Sequence, residues 1–124
     1  MPERETGESR ESELTSASGQ LDQPIDNYPV PDLAVVQLVD VLRAVGDPIR
    51  LEIVRRLSDG QSRPKAEIVG GFDLQKSTLS HHFKTLREAG LTQWQVNGRT
   101  HAIRLRRAEL DERFPGLIDA LLTQ

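Results

Sequence analysis

Beyond residue 32 the hydrophobic positions repeat mostly at helical spacing. The stretch LAVVQLVDVLRAV, residues 33–45, is interrupted by polar residues only at Gln37, Asp40 and Arg43, which leaves one narrow polar stripe. A helix apolar over most of its circumference is buried on more than one side. In a body this small, the second side is predicted to be another chain. Gly46 ends this helix. Asp47-Pro48 opens the next, with Asp as N-cap and Pro at the first helical position. Its apolar face is Ile49, Ile53, Val54 and Leu57, and Asp59-Gly60 closes it. A short third helix is predicted from about Pro64 to Val69, broken by Gly70-Gly71.

In KSTLSHHFKTLREAGL, Leu79, Phe83 and Leu86 recur at helical spacing, with Ser77 as expected N-cap and Gly90 at the C′ position. LTQWQVNGRTHAIRL then reads as a hairpin turning at Asn97-Gly98. That turn pairs Val96 with Arg99, Trp94 with His101 and Thr92 with Ile103. One face carries Trp94, Val96, His101, Ile103 and Leu105, and the other Gln93, Gln95, Thr100, Ala102 and Arg104. A last helical segment holds Leu110, Phe114, Leu117, Ile118, Leu121 and Leu122, kinked or restarted at Pro115. The order is four helices, a two-stranded hairpin and a helix (α-α-α-α-β-β-α). Short helix, tight turn and second helix make a helix-turn-helix, and the hairpin directly after makes it winged. The fold class is mostly α with a small β-hairpin, a dimeric winged helix-turn-helix.

Charge divides the chain. Residues 1–32 hold eight acidic residues against Arg4 and Arg10, net −6, whereas the remainder holds 14 basic and 11 acidic, net +3. The first part is rich in Ser, Glu, Gly and Pro and cannot bury enough apolar surface to offset its ordering entropy. Residues 1–31 are therefore read as a disordered acidic tail, a solvating segment or an arm competing with DNA, and residues 32–124 as the DNA-binding and dimerisation domain. A body of this size buries roughly 60–65% of its unfolded surface, so a partner subunit would help.

Cysteine is absent, which excludes disulfides, thiolate metal sites and a cysteine nucleophile. The longest apolar run, residues 33–36, is far short of a membrane span. The first residues resemble neither a secretory signal nor a transit peptide. A cytoplasmic protein without membrane contact is expected. No nucleophile elbow, phosphate loop, dinucleotide fingerprint or paired-carboxylate motif is present, so neither an enzyme nor a cofactor is expected.

Opposite Leu79, Phe83 and Leu86, the fourth helix carries Ser77, Thr78, Ser80, His81, Lys84 and Arg87. Recognition helices use such N-terminal residues on base edges in the major groove. Lys76, Lys84 and Arg87 suit phosphates, and Arg99 at the hairpin tip suits a minor groove or a phosphate. A solvated face with Ser77 serving only as a cap is the plainer alternative. His82, beside Phe83, is read as a partly buried, hydrogen-bonded histidine. His101 is read as a structural histidine on the packed hairpin face. His81 and His82 point about 100° apart on a helix, and no i, i+4 His pair exists, so no metal site is expected.

LRAVGDPIRLEIVRRLSDG, STLSHHFKTLREAGL and NGRTHAIRLRRAEL resemble the ArsR/SmtB family of bacterial transcriptional regulators. The resemblance covers about residues 38–110. It implies a homodimeric winged-helix repressor on an imperfect DNA palindrome, released by an inducer. It also implies groove contacts at Ser77, Ser80 and His81, a wing arginine at Arg99, and a dimer interface built from the first and last helices. That interface is assigned here to Val35, Leu38, Val39, Leu42, Leu117, Ile118 and Leu121. The chain departs from the family's metal-sensing members. PKAEIVGGFDL lacks their cysteine pair, and LDERFPGLIDALL lacks their histidines. The inducer, a small molecule of unidentified chemistry, is left open. So are two rivals: a winged helix that binds protein rather than DNA, and a repressor with an unusual His/carboxylate metal site.

Overall fold

The computed structural model describes residues 29–123. Of the acidic tail only Pro29, Val30 and Pro31 are among them; the rest lies outside the described residues. After a 3₁₀ turn at Leu33–Val35 come helices α1 (Leu38–Val45) and α2 (Pro48–Arg56). A short strand β1 (Arg63–Pro64) leads into α3 (Lys65–Ile68) and α4 (Lys76–Glu88). The hairpin is β2 (Thr92–Asn97) and β3 (Thr100–Leu105), followed by α5 (Arg107–Arg113) and α6 (Leu117–Leu122). The fold is mostly helical with a small antiparallel sheet, ordered β1-β3-β2. Among the described residues no helix is long and apolar enough to cross a membrane.

The continuous helix predicted over residues 33–45 is interrupted. Val36 and Gln37 are extended (φ −75°, ψ 133° and φ −89°, ψ 138°). Two observations account for the break. Leu33 and Val36 are both buried, 7% and 6% exposed, and pack towards Gly90. Their carbonyls also accept from Arg113, Leu33 O from Nε at 2.9 Å and Val36 O from Nη2 at 3.0 Å. A distant guanidinium thus replaces amides that a continuous helix would have used.

Asp47 caps α2 as expected, its Oδ2 accepting from the amides of Ile49 (2.9 Å) and Arg50 (3.0 Å). Ser77 does not cap α4. The helix starts two residues earlier than that cap would set, at Lys76 after Gln75, without a side-chain cap, so Ser77 sits inside the first turn. The other end of α4 follows the prediction. Gly90 takes φ 90°, and the amides of Gly90 and Leu91 bond the carbonyls of Arg87 and Leu86 at 3.0 Å each, a Schellman closure.

The hairpin turns one residue later than predicted, at Gly98-Arg99, with Asn97 paired to Thr100. Trp94 therefore opposes Ile103, Val96 opposes His101 and Thr92 opposes Leu105. A shift of two along the partner strand keeps every side chain on its predicted face, so the alternation of apolar and polar positions could not choose between the registers, and the Asn97-Gly98 turn signal pointed to the wrong one. Long-range pairing favours the observed one: Arg106 N bonds Leu91 O at 2.9 Å, and Arg63 and Pro64 pair with Ile103 and Ala102. The two-residue strand β1 was not predicted; Pro64 suits such an edge position.

Pro115 and Gly116 (φ 83°) separate α5 from α6, the fresh start that Pro115 allowed. The core gathers Val41, Ile53, Val54, Leu57, Ile68, Phe83, Leu86, Leu91, Ile103, Leu105, Leu110 and Ile118, all fully buried.

Candidate nucleic-acid interface

Helix α4 buries Leu79, Phe83 and Leu86 and turns the opposite face outward. Lys76, Ser77, Thr78, Ser80, His81 and Lys84 are all exposed on it, as the spacing predicted. Arg87, a turn further on, is half-buried. Arg99 is exposed in the hairpin turn and occupies a central turn position. The structure thus brings the predicted contact residues onto α4 and the wing that follows it.

Three devices hold this helix in place. Arg56 spans the turn of the helix-turn-helix: its Nη1 donates to Ile68 O (2.8 Å) and Gly70 O (2.6 Å), and its guanidinium lies 4.5 Å from the Phe72 ring centroid. Arg50 on α2 reaches Nδ1 of His82 at 3.1 Å. His82 is accordingly the partly buried, hydrogen-bonded histidine expected, its side chain 12% exposed. Phe83 meets the indole of Trp94 edge-on (6.1 Å, 90°), which locks α4 to the wing.

Asp47 lies 3.9 Å from His82 Nδ1. Partial burial raises its carboxyl pKa, but the amides of Arg50 and Ile49 and the charge of Arg50 outweigh this and hold it below the ordinary carboxylate value. Lys84 pairs with Glu88 at 4.0 Å, but both side chains are about 60% exposed. Exposed i, i+4 pairs contribute little, so Lys84 is available to a stronger anion.

His101 departs from its sequence reading. It stacks edge-on against Trp94 (6.1 Å, 87°) yet is exposed; at the outer end of the hairpin its face extends past the core. Lys65 carried no signal in the sequence. Its Nζ lies 5.4 Å from the Phe83 and 5.6 Å from the Trp94 ring centroid, contacts to residues far away along the chain.

The residues assigned to a dimer interface divide. Val35, Leu38, Val39 and Leu42 are 69%, 44%, 49% and 45% exposed, a contiguous apolar face on α1 and the preceding turn. Leu117 and Leu121 are half-buried against the core. Ile118 is fully buried within its own chain, so it is a core residue and not an interface residue. The helix restart at Pro115-Gly116 turns it inward. Among the described residues no group of three or more His, Cys, Asp or Glu side chains is placed to hold a metal ion.

Residues 47–93 match the family model described as bacterial regulatory protein, arsR family. An uncharacterised HTH-type transcriptional regulator, YceK of Bacillus subtilis, is 37% identical over 82 residues, covering 65% of this chain and 82% of that protein. The arsenical resistance operon repressor of Staphylococcus xylosus is 35% identical, over 60% of this chain and 71% of its own length. Among solved structures, the transcriptional repressor BigR from Xylella fastidiosa superimposes with a TM-score of 0.56 at 27% identity, covering 69% of this chain and 83% of that one. With a winged helix whose second helix presents a polar and basic face, and with these relatives, the chain belongs to the arsR family of bacterial transcriptional regulators and is a DNA-binding regulator, not an enzyme.

Proposed function

We propose that this chain is a homodimeric repressor that binds a two-fold-related operator in double-stranded DNA. In this reading α4 enters the major groove and the wing lies over the adjoining backbone. The observation that carries it is the division of α4: Leu79, Phe83 and Leu86 are buried, while Ser77, Thr78, Ser80, His81 and Lys84 face outward, and Arg99 is exposed in the turn of the wing that follows. Ser80 and His81, near the N-terminal half of the helix, read base edges. Lys76, Lys84, Arg87 and Arg99 supply phosphate contacts that raise affinity for any sequence. The apolar face of Val35, Leu38, Val39 and Leu42 supports pairing of two copies. Two recognition helices one duplex turn apart, about 34–36 Å, then imply a palindromic site. The protein acts in the cytoplasm.

The absence of cysteine and of the family's last-helix histidines supports a signal other than a metal bound at the usual family positions. A small-molecule inducer that lowers DNA affinity fits, with a coupling of about 1–3 kcal/mol.

The test is fluorescence anisotropy with upstream DNA and a scrambled duplex across a salt series. His81→Ala and Ser80→Ala should narrow the gap between the two duplexes, each costing about 1–3 kcal/mol on the operator. Lys84→Ala and Arg99→Ala should weaken both duplexes alike and reduce the salt slope by about 1. Wild-type protein that binds neither duplex, or binds without salt dependence, would favour a protein-binding winged helix instead.

A further inference from the structure

Between α4 and the wing lies a cleft of about 430 Å³ lined by Lys65, Ser80, Lys84, Arg87, Trp94 and His101. Among the described residues no carboxylate lines it. Its walls are three cationic side chains, an imidazole, a hydroxyl and an indole, contributed by α3, α4 and both wing strands. That lining suits an anion. The cleft is also built outward from the core: Phe83 is fully buried, Trp94 stands edge-on to it, and His101 edge-on to Trp94 at the surface. Lys65 rests near the faces of both Phe83 and Trp94, with Nζ 5.4 and 5.6 Å from their centroids. A lysine ammonium is attracted to such faces while keeping hydrogen-bond donors for a further partner. Held this way, the side chain has less rotamer freedom to lose when an anion arrives.

We infer that this cleft seats one phosphodiester of the DNA backbone and that Lys65, on the first helix of the helix-turn-helix, is the cation that closes on it. The inference rests on the DNA-binding reading above and adds a contact that neither the sequence pattern nor that reading assigned. Position argues for DNA over a free anion. Ser80 and Lys84 belong both to the cleft and to the outward face of α4, so the cleft continues the proposed interface. A strand bordering the groove that α4 enters passes between the helix and the wing, and the first helix of such motifs crosses the backbone. The imidazole of His101, on the wing side of the cleft, offers a ring N–H to the same phosphate.

Lys65→Gln and Lys65→Arg should be compared with wild type on operator and scrambled duplexes across a salt series. Lys65→Gln should weaken both duplexes by about tenfold, with a salt slope smaller by about 1 and an unchanged thermal midpoint. Lys65→Arg should restore the slope. In the wild-type complex, trace labelling with acetic anhydride should show Lys65 protected by either duplex. Three results overturn the inference alone: an unchanged slope in Lys65→Gln, full Lys65 reactivity in the saturated complex, or inorganic phosphate competing with operator at constant ionic strength in wild type but not in Lys65→Gln. The last would make the cleft a small-anion site. Wild type that binds no DNA would overturn the functional reading and this inference with it.

Discussion

Arg50 Nη1 lies 3.1 Å from His82 Nδ1 and joins α2 to α4. Arginine has no acceptor, so Nδ1 accepts and the ring proton sits on Nε2. The same guanidinium donates through Nε to Ala44 O at the end of α1. One side chain thus ties three helices together next to His81. Arg50→Ala should cost about 1.5–3 kcal/mol, the range for charge-assisted bonds. Urea denaturation would measure it; an unchanged midpoint would mean that water replaces the arginine at no cost.

Gly90 meets the packed 3₁₀ turn. A Cβ there would stand 3.0 Å from Val36 Cγ2 and 3.1 Å from Leu33 Cδ2, on a backbone at φ 90°. Gly90→Ala should destabilise by about 1–3 kcal/mol from the left-handed backbone, with crowding in addition. Gly70→Ala is the control, since a Cβ there meets nothing within 4 Å. Equal thermal midpoints for the two variants would contradict this.

Val39 and Leu42 remain about half exposed in the single chain. Replacing both with Asp should abolish dimerisation without unfolding the core, which neither residue enters. Sedimentation of the wild type at micromolar concentration should give a dimer and the variant a monomer. A stable wild-type monomer would remove the proposed interface.

Zinc and arsenite at micromolar concentration should not release operator DNA, because the chain has no cysteine. Release reversed by chelation, without precipitation, would point to an unusual site of histidines and carboxylates.

The hydrogen bond from Arg104 (2.8 Å), together with its charge, outweighs partial burial and holds the Glu109 carboxyl below its ordinary value of 4.5. A lowered folded-state pKa contributes stability that is present above the unfolded value and is lost as pH falls through the folded one. Glu109→Gln should therefore be less stable than wild type at neutral pH, and the gap should close as pH drops below 4.5. Urea midpoints measured from pH 7 to strongly acid conditions check the sign; a gap that widens in acid would refute it.

Local rules carried much of this protein. Asp47-Pro48 opens α2 because a cap and a preset φ act within three residues. Gly90 closes α4 because the C′ position needs positive φ. Leu79, Phe83 and Leu86 recur with the helix period, which places Ser80, His81 and Lys84 outside before any neighbour is known. Pattern parity put Ile103 and Leu105 on the buried face whichever register the hairpin took. Tertiary structure decided what depends on residues distant in sequence. Arg113 claims the carbonyls of Leu33 and Val36 and breaks a helix that periodicity made continuous. Pairing with β1 and the bond from Arg106 to Leu91 select a register two residues away from the one that the Asn97-Gly98 turn signal favoured. Ile118 enters the core although its spacing also suited a surface. Lys65 gained its place only when Phe83 and Trp94 came together beneath it, since packing across the chain leaves no periodic trace in the sequence.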